Sequence, residues 1–179
     1  ISGPAGCGKG YNYIRNSDSR YTMIVSPTHK RRRENAEYNT NSQTIQMLTK
    51  RININQANYN IKKLIIDEYT QSDNRTINDI INWANQRDIN IVMLGDHCQL
   101  FNDITNNKID LNNLIETSNF KLIHFERTNV SRQECHIFAK WLDSLRWNIN
   151  EEPDYKRLAA KVCVYFGHEN KEKYNPPLH

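Results

Sequence analysis

The segment Gly3-Pro4-Ala5-Gly6-Cys7-Gly8-Lys9-Gly10, G-x-x-x-x-G-K directly behind the apolar Ile1, constrains the fold more than any other stretch of the chain. Glycines let backbone N–H groups turn inward around an anion, and a helix that follows offers its positive end. A lysine at that junction reaches the outer phosphates of a nucleoside triphosphate. Gly3, Pro4, Ala5, Gly6, Cys7, Gly8, Lys9 and Gly10 are therefore the expected ATP-binding residues, with Lys9 also catalytic. One position departs from the pattern, which has Ser or Thr where Gly10 stands because that hydroxyl ligates Mg²⁺. Glycine offers no oxygen, so the expectation is nucleotide binding with weakened Mg²⁺ affinity. Water or another hydroxyl such as Thr28 could compensate; otherwise the site binds nucleotide without efficient hydrolysis.

Short apolar β-branched runs alternate with amphipathic stretches along the chain, which predicts an α/β fold, a parallel sheet with helices on both faces. The expected strands are residues 21–26, 64–67, 90–95 and 120–124. Ile77, Ile80, Ile81 and Ala84 fall on one helical face, with Asp73 placed to cap the start. Ser131 and Glu134 form a capping box ahead of the stripe Ile137, Phe138, Trp141, Leu142 and Leu145, a helix expected to run to about Arg146. Residues 154–166 read as one more helix, and the polar tail ends on Pro176-Pro177. The domain organisation expected is one ATPase domain over 1–150, with 151–179 opening an incomplete segment. The chain begins without Met inside a strand-to-loop junction, so more sequence is expected upstream.

The run Leu64-Ile65-Ile66-Asp67-Glu68 puts two carboxylates at the end of a buried strand. Behind a phosphate loop, Asp67 is expected to hold Mg²⁺ through water, and Glu68 to orient and deprotonate the attacking water. The plainer alternative is a strand terminus followed by an acidic cap. Gly95-Asp96-His97-Cys98-Gln99 ends another apolar run, and the Gln99 amide suits a sensor that bonds the γ-phosphate and loses that bond on hydrolysis.

Composition closes off other classes. The 37% hydrophobic and 25% charged content is that of a globular domain. No apolar run approaches the roughly 18 residues of a membrane span, so no membrane partner is expected. The four cysteines lack CxxC spacing, which argues against a zinc knuckle or disulfide framework and for a reducing compartment, cytoplasmic or nuclear. Adjacent pairs such as His97-Cys98 and Cys135-His136 do not readily converge on one ion. A net charge of +4 suits a polyanionic partner, and much of the excess sits in Lys30-Arg31-Arg32-Arg33, which reads either as a solvated helix face or as a nucleic-acid contact.

Taken together, these residues resemble a superfamily 1B DNA helicase of the Dda, RecD and Pif type, in its first RecA-like domain. The likeness runs from Gly3 to Arg146 with the motifs in the family's order. Gly3 to Lys9 resembles motif I, Ser26-Pro27-Thr28-His29-Lys30 motif Ia, and Thr44-Ile45-Gln46 the Thr-Ile-His that follows it. Asp67-Glu68-Tyr69-Thr70 resembles motif II and Gly95-Asp96-x-x-Gln99-Leu100 motif III. The segment centred on Arg127-Thr128-Asn129 is similar to the strand that ends in an arginine reaching the γ-phosphate. Gly10, Gln46 and Phe101-Asn102-Asp103 depart from the pattern, and Asn55-Gln56-Ala57-Asn58 leaves room only for a very small strand-splitting hairpin.

The resemblance implies an ATP-dependent DNA helicase moving 5′ to 3′, of phage or large DNA virus type, with ATP and Mg²⁺ as cofactors. Its partners would be single-stranded DNA and a second RecA-like domain of the full-length chain. It implies further that Pro27, Thr28, His29, Lys30 and Thr44 line the DNA track. Arg127 would be the arginine finger, the alternative being a surface ion pair with Glu126 or Glu134. Two other functions stay open, a superfamily 1 viral RNA helicase and a degenerate phosphate-loop module that binds nucleotide without turnover.

Overall fold

The computed structural model describes residues 1–3 and 8–96, together with Lys121, Ile123, Leu145 and Arg157 as isolated positions. The chain divides into two compact units, Ile1–Arg132 and Gln133–His179, and the fold below is that of the first. The helices expected at 131–146 and 154–166 lie outside the described residues, as do Gln99 and Arg127.

Four parallel strands stand in the order β2-β1-β3-β4, with β1 at Thr22–Ser26, β2 at Ser42–Thr44, β3 at Lys63–Asp67 and β4 at Asn90–Leu94. Pairing is in steady register, Ile24 opposite both Ser42 and Ile65, and Ile66 opposite Met93. The sheet continues past β4, because Ser2 bridges Gly95 in parallel and the Ser2 N–H donates to the Ile123 carbonyl at 2.9 Å. The segment leading into the phosphate loop therefore lies beside β4, and β4 separates it from the acidic strand β3.

β1 is buried along its whole length and β3 from Leu64 onward, as strands covered on both faces must be. Alternation sends Met23, Val25, Leu64 and Ile66 to one face, where they pack with Leu48, Ile77, Ile80, Ile81 and Ala84. Ile24, Ile65 and Leu94 face the other way and meet Ile14. Helices α2 (Ile45–Asn53) and α3 (Asn74–Asn85) cover the first face, and the short π-type turn Tyr11–Arg15 seats Ile14 against the second. This is the α/β fold with helices on both faces that the periodicity predicts. No helix among the described residues is long and apolar enough to cross a membrane.

α3 begins as its sequence requires. Asp73 is the N-cap, its Oδ1 accepting from the Thr76 N–H at 2.8 Å and its Oδ2 from the Thr76 hydroxyl at 2.7 Å. Burial alone would raise the Asp73 carboxyl, but the Thr76 bonds outweigh it and hold the group below its usual range. A carboxylate lowered in the folded state stabilises above its unfolded pKa and loses that contribution as pH falls through the folded value. Asp73→Ala is accordingly expected to cost about 1 kcal/mol near neutral pH, and the loss should shrink in acid when followed by thermal denaturation.

Two features differ from the sequence expectations. β2 consists of three polar residues and carries no apolar signal; backbone pairing with β1 makes it a strand, with Gln43 buried and its amide directed at the Met23 sulfur. The small hairpin expected near residue 55 is instead a folded-back connection. Asn55 takes a left-handed conformation (φ 54°), the Gln56 N–H returns to the Arg51 carbonyl at 2.8 Å, and Ala57 and Ile61 are buried in the core. Burying those two apolar side chains outcompetes projecting them.

Candidate nucleotide site

In a parallel sheet the strands end on one edge, and β1, β3 and β4 deliver Ser26, Asp67 and Gly95-Asp96 there. The phosphate-loop glycines arrive at the same edge beside β4. Pro4, Ala5, Gly6 and Cys7 fall outside the described residues, while Gly3 and Gly8 to Gly10 are described. Gly8 has φ +89°, a bend that a side chain would resist. The Lys9 ammonium donates to the Gly3 carbonyl at 2.5 Å, tying the end of the loop to its beginning.

Asp67 is almost fully buried, and its Oδ2 accepts two bonds, from Arg31 Nε at 2.7 Å and from Asn35 Nδ2 at 2.8 Å. Asn35 also donates to the Ser26 hydroxyl at 2.9 Å, and Arg31 Nη1 reaches Glu34 at 3.0 Å. Arg31 and Asn35 lie four residues apart on helix α1 (His29–Ala36), so one face of that helix clamps the aspartate. Burial works against the Arg31 charge, but the Asp67 carboxylate outweighs it and the guanidinium is held more basic than usual. The sequence reading singled out neither Arg31 nor Asn35 in this role. The i, i+4 spacing was the available signal, hidden inside a run of four basic residues.

Glu68 carries three marks of a functional position. Its backbone is left-handed (φ 52°, ψ 45°), unfavourable for a glutamate. Its Oε2 is buried with no hydrogen-bond partner among the described residues. Its pKa is raised by burial and by the Asp67 charge, against the opposite pull of Arg31 and Lys9, with Asp96 adding a smaller upward push. Lys9, Arg31, Asp67 and Asp96 thus all lie close enough to act on the Glu68 charge, which places them round one site. A carboxylate whose pKa is raised in this way is a stronger base and is better suited to accept a proton from water.

The 3₁₀ turn Tyr69–Gln71 after Glu68 packs under Gly95. A Cβ at Gly95 would sit 2.6 Å from Tyr69 Cδ1, closer still to Cε1, and 3.2 Å from Thr70 Cγ2. Glycine there lets the turn carrying Glu68 and the strand end carrying Asp96 come together.

Of the residues expected on a DNA track, Thr28, His29 and Lys30 are exposed at the start of α1 and Pro27 is half-buried. Thr28 Oγ1 accepts from the Arg31 N–H at 3.1 Å, capping α1. Thr44 differs from its companions: it is buried, and its hydroxyl accepts from the Met47 N–H at 3.2 Å as the cap of α2. Enclosure by the core leaves Thr44 to act on the surface only through the helix it starts.

The residues present do not fit Mg²⁺ in the arrangement the sequence suggests. Position 10 has no hydroxyl, and Asp67 Oδ2 is already bonded to a guanidinium and an amide. Among the described residues no group of three His, Cys, Asp or Glu side chains gathers as a metal site.

A parallel sheet ending in a glycine-lined lysine loop and an acid pair defines an α/β P-loop NTPase fold. Within that class the chain belongs to the AAA domain family, whose model matches residues 1–109. Among solved structures it is similar to Pif1 of Bacteroides sp in complex with ADP-AlF4, at 17% identity and a TM-score of 0.56, covering 81% of this chain and 41% of that one. Bacteroides Pif1 bound to ssDNA matches at 19% identity and 0.56, covering 90% and 45%. Pif1 helicase from Candida albicans matches at 21% and 0.56, covering 87% and 42%. At these identities the likeness establishes the fold, and the chain spans less than half the length of each Pif1 chain. No curated protein matches it in sequence.

Proposed function

We propose that this chain is the ATP-binding half of a DNA helicase motor, the first RecA-like domain of a longer superfamily 1B protein of phage or large-virus type, moving 5′ to 3′ along single-stranded DNA inside the cell. The observation that carries the reading is Glu68, left-handed in backbone, with Oε2 buried and without a hydrogen-bond partner among the described residues, and raised in pKa beside Lys9 and Asp67. In this reading Lys9 binds the β- and γ-phosphates, Glu68 takes the proton of the attacking water, and Asp67 with Arg31 and Asn35 holds the acidic strand end in place. Gln99 is assigned as sensor and Arg127 as arginine finger. Pro27, Thr28, His29 and Lys30 are assigned to the DNA backbone, with Thr44 positioning α2 behind them. The Bacteroides structure bound to ssDNA supports DNA as the polymer, and the greater length of the Pif1 chains leaves room for a second RecA-like domain in the complete protein.

The decisive measurement is steady-state ATP hydrolysis by the full chain with and without oligo-dT, and with an RNA of equal length. Stimulation by DNA well above that by RNA is the expected result, and Lys30→Ala should lower the salt slope of the DNA dependence by about one. Turnover indifferent to either polymer would defeat the helicase reading. Gly10 and the Arg31–Asp67 pair favour a second reading, a module that binds ATP without turnover, which the same assay recognises as binding with no hydrolysis.

A further inference from the structure

Two features of the phosphate site meet at one place. Gly10 offers no hydroxyl, and Arg31 sits in the acid cluster with its Nε on Asp67. The nearest atom to a Cβ built at Gly10 is Arg31 Nη2, at 3.8 Å. Arg31 thus spans the site, with Nε on Asp67 Oδ2, Nη1 on Glu34 Oε2 and Nη2 turned toward the loop residue after Lys9. A guanidinium has five donors in a rigid plane and stays charged at every physiological pH. Two contacts on its other edges pin this one in place, Asp67 and Glu34, and the Thr28 cap accepts from the backbone N–H of the same residue.

We infer that Arg31 is the resident cation of the nucleotide site: its guanidinium holds Asp67 and lies in contact range of position 10, and the site takes the phosphates of a nucleoside triphosphate without a divalent metal. The inference rests on the nucleotide-binding reading above and adds to it the identity of the charge that receives the phosphates. Loss of the guanidinium would leave Asp67 buried and uncompensated. One fixed positive charge replaces two, so phosphate binding is retained while charge neutralisation during transfer is weaker.

The test is a fluorescence titration of the full chain with a mant-labelled, non-hydrolysable ATP analogue, in Mg²⁺ and again in excess EDTA. For the unaltered chain, chelation should change Kd by less than about threefold, whereas Arg31→Ala should weaken binding in EDTA by about tenfold or more. Arg31→Ala combined with Gly10→Ser should bind well only when Mg²⁺ is present. If Arg31→Ala unfolds because Asp67 is stranded, Arg31→Ala with Asp67→Asn removes both charges and carries the same comparison. The inference is overturned if the unaltered chain loses tenfold or more of its affinity in EDTA, or if removing Arg31 leaves EDTA binding intact; binding in Mg²⁺ then still upholds the nucleotide reading. No binding in either buffer by a chain with a normal thermal transition removes the nucleotide reading, and the inference falls with it.

Discussion

Glu68→Gln is expected to slow ATP hydrolysis by about 100- to 1000-fold, the contribution typical of a positioned general base, with nucleotide affinity nearly unchanged. The amide keeps the shape of the side chain but cannot take a proton from water. The same substitution should make the protein more stable at neutral pH. Burial and the Asp67 charge raise the Glu68 pKa, so the folded state binds this proton more tightly than the unfolded chain does. Stability linked to such a group is fully present below the unfolded pKa and declines as pH climbs toward the folded one. Ionising Glu68 therefore costs the fold stability, a cost that a neutral amide removes. Thermal melts and single-turnover hydrolysis across a pH series check both halves. The acid limb of the rate profile should lie above the ordinary glutamate range and vanish in Glu68→Gln. A variant that hydrolyses ATP at the original rate, or one that melts earlier at neutral pH, would remove Glu68 from the role of base.

The elements read correctly from sequence are those whose signal is local. β1, β3 and β4 are apolar runs bounded by polar residues, and α3 has both an apolar stripe and a capping aspartate, so periodicity alone locates them within a residue or two. The acid pair and the lysine loop were legible because their residue types have few other uses at such positions. What stayed hidden depends on tertiary context. β2 has no pattern of its own and exists through its pairing with β1. The four basic residues of α1 look alike in the sequence, and only the fold turns Arg31 toward Asp67 while leaving Lys30 in solvent. Thr28 and Thr44 occupy equivalent positions, each capping the helix after a strand, yet one is exposed and the other enclosed. The motif resemblance assigned both to the same track because burial is not written in a tripeptide.

Gly95 shows why a short motif can matter more for packing than for chemistry. It stands in Gly-Asp at a strand end, and the requirement the structure places on it is space. A methyl group at 95 would overlap the Tyr69 ring, and Tyr69 is buried in the main core with nowhere to retreat. Gly95→Ala is therefore expected to destabilise the fold by about 3 kcal/mol, the upper end of ordinary overpacking, read as a lowered melting temperature. Whatever the ring does to escape must also move the left-handed residue before it, so turnover should fall together with stability as Glu68 shifts. A double-mutant cycle separates overlap from a general intolerance at position 95. Tyr69→Leu shortens the obstructing side chain, and in that background Gly95→Ala should cost distinctly less than it does alone, the shortfall measuring the direct encounter. If the two substitutions merely add, or if Gly95→Ala melts like the unaltered chain, the ring is not what holds position 95 to glycine. The arrangement that presents Glu68 would then need another cause.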